Sequence, residues 1–528
     1  MVKPFNPAEA NQTLFEALLD AQRVHGADRL VLEDIERQPL SYGRLILASL
    51  VLGHEFARDT RRGEPVGVLL PNVNGMVVTL LGLNAYGRVA ALLNFSAGIR
   101  NISSAVETGV IRRIVTSRRF VASAKLEEVV RALAGIETAS GKSVEILYLE
   151  DIRKRIGPAA KLAGLLKSKL ARQVHRRHAA RPDRPAVILF TSGTEGVPKG
   201  VVLTNANLVA NARQIFAHAE GFLTKDETVL NPLPMFHSFG LTAATLMPLL
   251  SGMRTVLYPS PLHYKEIPAL VSASKATVLF ATDTFLQGYA RAARPDDLKS
   301  LRYIIAGAEK VRDATRTAFA LHGTMILEGY GATECAPVIC CNLPNRTKPG
   351  SVGPLLPGIT ARLDPVAGVA GGGRLVIKGP NVMAGYMLAE RPGVLVAPAE
   401  GWHDTGDIVD IDDDGLVSIK GRATRFAKIG GEMVSLAAVE GMVATLWPDQ
   451  NHVVIALPDP RRGEQLVLVT DHAGADRQSL TAAARQIGLP ELWVPRHIHT
   501  VAAIPVLASG KVDFGATNAL VKSMREAG

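Results

Sequence analysis

The sequence predicts an α/β protein: a large N-terminal domain of stacked, mostly parallel α/β sheets with a β subdomain, followed by a small α+β domain. Three observations carry this. Short apolar runs alternate with longer segments of helical period through most of the chain. At 528 residues the chain exceeds what one hydrophobic core organises, so at least two folding units are expected. The texture changes near Gly421, which sets the expected domains at 1–421 and 422–528. An apolar share of 47% with 20% charged residues excludes a disordered or fibrous chain.

Taken in order, Asn11 to Asp20 reads as an amphipathic helix. "DRLVLEDIERQPLSYGRLILASLVLGHEF" reads as a short hairpin and a helix starting near Ser41. "EPVGVLLPN" is a buried strand, followed by a helix over 75–87 and the strand "VAALLNF". The stretch from Gly75 comes nearest to a membrane span, but Asn84 and Arg88 interrupt it. The start lacks the basic-then-apolar run of a signal peptide. With three cysteines, Cys340 and Cys341 being adjacent, neither a disulfide framework nor zinc-type pairing is expected, and a reducing cytoplasm fits.

The net charge of +10 favours an acidic partner, whether nucleotide, anionic lipid, nucleic acid or acidic protein. Much of that charge lies between Asp151 and Arg184, where eleven Lys/Arg face two acids. Leu162, Leu165, Leu166, Leu170 and Val174 recur there at helical spacing. One reading is a solvated helix or linker. The other is a docking face for an anionic membrane, at the inner surface, or for an acidic carrier. Nucleic acid is disfavoured, because no aromatic residue is present to stack on a base.

The segment from Val187 to Gly200, "VILFTSGTEGVPKG", is a buried strand opening into a loop with hydroxyls, glycines and a lysine. Glycines let backbone N–H groups turn toward one point, and Thr191, Ser192, Thr194 and Lys199 add donors, which suits a polyphosphate. It is not a Walker A loop, since Pro198 precedes Lys199 and Gly200 follows it. Val201 to Leu203 resumes the apolar pattern, and Thr204 or Asn205 offers an N-cap for the next helix. "VLNPLPMFHSFG", "ATVLFATDTFLQGYA", "LRYIIAGAEKV" and "GTMILEGYGATE" each place a loop after a strand, at the sheet edge where α/β proteins bind ligands. "ITARLDPVAGVAGGGRLVIKGPNVMAGY" reads as β-hairpins.

In "GYGATE", Tyr330 suits stacking on a purine, Thr333 donation to a phosphate and Glu334 a Mg²⁺ ion. In "GWHDTGDIVDIDDDGLVSIKGR", Asp407 suits both ribose hydroxyls, and Arg422 a hydroxyl or phosphate. Asp410, Asp412, Asp414 and Gly415 mimic the opening of an EF-hand loop, but Gly421 stands at the twelfth position, so a hairpin turn is expected instead. His237 lies between Phe236 and Phe239.

These motifs, in this order, resemble the adenylate-forming superfamily of acyl-CoA synthetases, luciferases and adenylation domains. The resemblance runs from about Ser41 to Lys511. It implies ATP and Mg²⁺ as cofactors and a two-step reaction, in which a carboxylate becomes an acyl adenylate and a thiol displaces AMP. It implies Lys511 as the catalytic lysine, with Thr191, Lys199 and Glu334 in the same chemistry and Glu334 as the metal residue. ATP and AMP binding is carried over to Thr191, Ser192, Gly193, Thr194, Lys199, Gly307, Ala308, Tyr330, Gly331, Thr333, Asp407 and Arg422. Phe236, His237 and Gly307 would line the acyl pocket, and Lys428, Gly430 and Gly431 would serve thioester formation. The small domain would be mobile about a hinge after Gly421, although Thr424 stands where relatives commonly carry an acidic residue or lysine.

Several stretches, among them "GYGATECAPVICCNLP" and "KGRATRFAKIGGEMVSLAAVE", look most like the acyl-acyl-carrier-protein synthetase branch. That branch implies a fatty acid as substrate and the phosphopantetheine of acyl carrier protein as acceptor. An acyl-CoA ligase using CoA, a fatty acyl-AMP ligase and a non-catalytic lipid- or carrier-binding protein are the alternatives.

Overall fold

The computed structural model describes residues 5–137, 141–178, 181–192, 198–219, 221–366, 369, 371–429, 432–459, 463–506 and 512–526. Contacts divide the chain into two compact units. The first holds residues 1–347, 352–360 and 378–403, and the second 348–351, 361–377 and 404–528. Position 421/422 thus falls inside the second unit, because strand His403–Ile411 pairs with Leu416–Arg422 before the chain continues into the C-terminal sheet.

The first unit is built on two eight-stranded sheets. In one, strands Leu30–Glu33, Arg254–Leu257, Thr228–Asn231, Val278–Ala281, Tyr303–Ala306 and Met325–Gly331 run parallel, with an antiparallel strand at each edge. In the other, Glu145–Tyr148, Arg113–Thr116, Pro65–Val68, Val89–Leu92 and Pro185–Ser192 are parallel. Antiparallel strands Pro198–Thr204, Gly385–Leu388 and Arg391–Val396 extend that sheet. The α/β class expected from the alternating pattern is the observed one.

Helices Leu14–His25, Tyr42–Asp59, Asn74–Ala85 and Asn205–His218 supply a core that also takes residues from both sheets, such as Leu32, Leu257, Val66 and Val187. Helix Asn74–Ala85 is buried at every residue from Met76 to Ala85. That is why its sequence looks membrane-like: a helix enclosed on all sides is apolar on all sides. Among the described residues no helix is long and apolar enough to cross a membrane. Helix Asn205–His218 begins as expected, Thr204 accepting from the Asn207 N–H at 3.1 Å while the Asn207 side chain accepts from the Thr204 N–H.

In the second unit, Asp407 lies midway along strand His403–Ile411, and a turn at Asp412–Gly415 returns the chain along Leu416–Arg422. The aspartates of this turn are engaged by protein: the Lys348 ammonium lies 2.9 Å from Asp412 and 2.6 Å from Asp414. The C-terminal sheet comprises Glu432–Ser435, Phe426–Ile429, Gly463–Thr470, His452–Asp459 and His497–Thr500, packed on helices Leu436–Leu446 and Arg477–Gln486.

Candidate functional site

In the first unit, the strands on either side of the hydroxyl- and glycine-bearing loop, Pro185–Ser192 and Pro198–Thr204, pair antiparallel. Thr191 lies opposite Lys199 and Ser192 opposite Pro198. Gly193, Thr194 and the rest of the loop to Val197 lie outside the described residues. The third strand, Gly385–Leu388, sets Tyr386 opposite Val201. Side chains two apart on a strand share a face, so Lys199 is the diagonal neighbour of Tyr386. Its ammonium stands over the Tyr386 ring, 5.6 Å from the centroid.

Tyr386 then reaches the second motif, its Oη donating to Glu334 Oε1 at 2.7 Å. Burial, followed by the Glu334 charge, pushes the Tyr386 phenol far above its ordinary value, so it is a neutral donor. Glu334 sits in a single tight turn, Thr333–Cys335, at the end of the strand bearing Tyr330. The Glu334 carbonyl accepts from the Met383 N–H at 2.8 Å, and the Cys335 carbonyl accepts from Asn381 Nδ2 at 2.8 Å. Both bonds tie the turn to the segment that delivers Tyr386. Gly331 can only be glycine, since a Cβ there would stand 2.2 Å from the Pro337 carbonyl oxygen.

From the same turn, Thr333 Oγ1 accepts from Ser238 Oγ at 3.4 Å. Ser238 closes the loop that carries Phe236 and His237. Phe236 is buried edge-on against Phe95 and His237, with ring centroids 5.0 and 4.8 Å away. Asn72 fixes this loop by donating to the Leu233 carbonyl and accepting from the Met235 N–H. The next residue, Phe239, abuts Gly307, where a built Cβ would lie 3.2 Å from the ring. Ala308 follows with φ +69°, and Glu309 holds the turn by accepting from the Thr284 N–H and hydroxyl at 3.0 and 2.8 Å.

Thr191, Lys199, Glu334, Thr333, Phe236, His237 and Gly307 therefore belong to one connected cluster, with Tyr330, Gly331 and Ala308 on its strand ends. Sequence reading missed Tyr386 and Ser238. A signal for Tyr386 existed in "GPNVMAGY", but nothing in the sequence showed that this strand joins the hairpin of Lys199. Among the thiols, Cys340 is fully buried and held well above its ordinary value by that burial, which makes it a packing residue.

In the second unit, Asp407 and Arg422 are register partners, and Arg422 Nε donates to Asp407 Oδ1 at 3.1 Å. Lys428 is exposed on strand Phe426–Ile429, its N–H donating to Glu464 at 2.5 Å. Gly430, Gly431 and Lys511 lie outside the described residues, as does the Thr424 side chain.

Glu334 offers a hard anionic oxygen of the kind Mg²⁺ prefers. Among the described residues no three His, Cys, Asp or Glu side chains gather as ligands. One carboxylate completed by phosphate oxygens and water is how nucleotide-bound Mg²⁺ is usually held, so the residues fit the ion.

A lysine and a carboxylate joined through a tyrosine at the edge of an α/β scaffold are groups that can handle a nucleotide's phosphates. The particular family is set by comparison: the model of the AMP-binding enzymes matches residues 19–387, and the chain belongs to that family. Curated relatives include feruloyl-CoA synthase from an Amycolatopsis species, 28% identical over 87% of this chain and 89% of the relative. Long-chain-fatty-acid–CoA ligase from Salmonella typhimurium is 27% identical over 86% of this chain and 84% of the relative. The fold is shared with ATP-bound MatB from Rhodopseudomonas palustris, at a TM-score of 0.78, 24% identity and coverage of 98% and 99% of the two chains. It is also shared with Mycobacterium tuberculosis fatty acyl CoA synthetase, at a TM-score of 0.71, 22% identity and coverage of 98% and 100%.

Proposed function

We propose that this chain is an AMP-forming acid–thiol ligase whose acid is a fatty acid. The observation that carries the reading is the chain of contacts Lys199–Tyr386–Glu334, which holds the hairpin and the carboxylate turn as one unit. A carboxylate oxygen of the acid attacks the α-phosphorus of ATP, the bond to the bridging oxygen breaks, and pyrophosphate leaves. The product is a mixed anhydride. A thiolate then attacks its carbonyl carbon, and AMP departs with the electron pair.

Each residue has a role in this sequence of events. The hairpin with Thr191, Ser192, Gly193, Thr194 and Lys199 holds the outgoing phosphates. Their negative charge is stabilised by these donors, the kind of interaction that lowers such barriers most. Glu334 would hold Mg²⁺, which supplies charge neutralisation at the phosphate oxygens. Tyr330, Gly307 and Ala308 frame the base, and Asp407 with Arg422 takes the ribose. Lys511 would bridge the attacking carboxylate and the α-phosphate. Phe236 and His237 border the acyl site. Lys428, Gly430 and Gly431 serve the thiol step, with the small domain of 422–528 turning about the segment after Gly421 between half-reactions.

The acceptor is a phosphopantetheine thiol. CoA is favoured by the printed activities of the relatives, while the motif stretches favour acyl carrier protein. The test is one assay with ATP, Mg²⁺ and a panel of fatty acids, offering CoA and carrier protein in parallel. Pyrophosphate release that depends on the acid is expected, with thioester formed on one acceptor. Absence of acid-dependent pyrophosphate release across the panel would overturn the reading.

A further inference from the structure

The basic stretch before the hairpin folds as two helices, Pro158–Lys169 and Ala171–His178. A surface helix ordinarily turns its leucines toward the core. Here the first helix does the reverse. Its inner face meets helix Tyr42–Asp59 closely at Gly164, which is buried and where a built Cβ would stand 2.3 Å from Val51 Cγ2. Ala160, Gly164 and Lys167 border a shallow hollow there with Leu50, Val51 and His54. Leu162, Leu165, Leu166 and Leu170 consequently face solvent, with 62, 49, 61 and 55% of their surface exposed. They form one stripe along a rod about 18 Å long.

The second helix locks this orientation. His175 is buried, bonded to Thr13 Oγ1 and the Ala85 carbonyl at 2.7 Å each, and Arg172 pairs with Asp20 at 2.7 Å. The leucines cannot roll inward without breaking these bonds and driving a larger side chain into the place of Gly164.

The stretch is basic, and although Lys154, Arg155, Arg172 and Arg176 pair with Asp151, Asp59, Asp20 and Glu16, other cations are left over. From Ile152 to Pro182 the sequence has ten Lys/Arg and no acidic residue. Arg153, Lys169 and Arg177 are exposed and enter no ion pair among the described residues. Ser168, the hydroxyl within the helix, donates to its own Leu165 carbonyl at 2.8 Å. A protein partner would need polar groups to match, and the stripe offers few. A lipid surface needs only a convex apolar ridge rimmed by cations.

From this arrangement we propose that helix Pro158–Lys169 docks the protein on an anionic bilayer, its leucines entering the acyl boundary and Arg153, Lys169 and Arg177 meeting headgroup phosphates.

The test is flotation of the full chain with phosphatidylglycerol-containing vesicles and with pure phosphatidylcholine vesicles, across a salt series. Wild type should partition at least about tenfold more strongly onto the anionic vesicles, and the gain should fade with salt. The double variant Leu165→Ser/Leu166→Ser should lose about tenfold or more of its partitioning on either vesicle, at unchanged thermal midpoint. The triple variant Arg153→Gln/Lys169→Gln/Arg177→Gln should lose the anionic preference and the salt dependence while keeping the residual apolar binding. Wild type that fails to float, or a leucine variant that floats like wild type, would overturn the proposal. Capture of an acidic carrier protein that disappears with the leucine variant, while vesicle binding stays unchanged, would instead assign the face to protein.

Discussion

Glu334, in the turn after strand Met325–Gly331, and Asp407, midway along strand His403–Ile411, are both carboxylates proposed to meet the nucleotide, and each accepts a side-chain hydrogen bond. Their donors differ in charge. Glu334 is half-buried and meets a neutral phenol, at 2.7 Å from Tyr386. Asp407 is 5% exposed and meets a guanidinium, at 3.1 Å from Arg422, whose own side chain is 71% exposed. A neutral donor orients a carboxylate without cancelling its charge, and the full charge stays available for a cation. A cationic donor offsets the charge and leaves an oriented pair of acceptors, suited to sugar hydroxyls. The partner, more than the carboxylate, assigns the chemistry.

The largest expected effect tests the charge of Glu334. Glu334→Gln keeps the shape and an acceptor oxygen for Tyr386 but removes the anion. Acid-dependent pyrophosphate release should fall about a hundred- to a thousandfold at saturating Mg²⁺. A loss of less than about threefold would mean the charge is not what this position supplies. Asp407→Asn, by contrast, retains one acceptor and should act on binding. KM for ATP should rise by about tenfold with kcat little changed, the pattern of an interaction made equally in ground and transition states. An equal fall in kcat and kcat/KM would erase the distinction drawn between the two carboxylates.

Most of the scaffold was legible because its signals are local. The alternation of strand and helix, the Thr204 cap and the Asp412 turn each depend on residues a few places apart. Glu334 and Asp407 were legible as motif members. Tyr386 was not, because its meaning arises from pairing across about 185 residues between Gly385–Leu388 and Pro198–Thr204, which no periodicity records. The leucines of Pro158–Lys169 were legible as a helical stripe but not in their direction. That is decided by Gly164 meeting Val51, a contact made over more than a hundred residues of separation.

Tyr386→Phe should have a smaller consequence than either carboxylate substitution, because it removes orientation and leaves both charges. Pyrophosphate release should fall by about fivefold, less than a whole hydrogen bond to a charged group contributes, because the Glu334 anion remains. Because the phenol titrates only far above its ordinary value, wild type should show no alkaline limb from this group below about pH 10. A limb near pH 10 that vanishes in Tyr386→Phe would show the phenol to be less buried and less coupled to Glu334 than its position requires.

The smallest effect concerns a buried titratable group with no direct counter-ion. His175 packs against the Phe15 ring and is bonded to Thr13 and the Ala85 carbonyl. Burial lowers its pKa, the Ala85 carbonyl and Glu16 work against that, and Arg172 adds to it. The unfolded chain therefore takes up a proton near pH 6.5 that the folded chain still refuses. Its contribution to stability is full above that pH and is lost as pH falls below it. His25, His54 and His178 are lowered as well and share the effect. The thermal midpoint should thus drop between about pH 7 and pH 5, and His175→Gln should make that drop shallower by about 1–2 °C. An unchanged slope in the variant would mean that His175 accepts its proton in the folded state. The comparison would then gain a third member held, like Asp407, by charge, with Glu16 as the group that holds it.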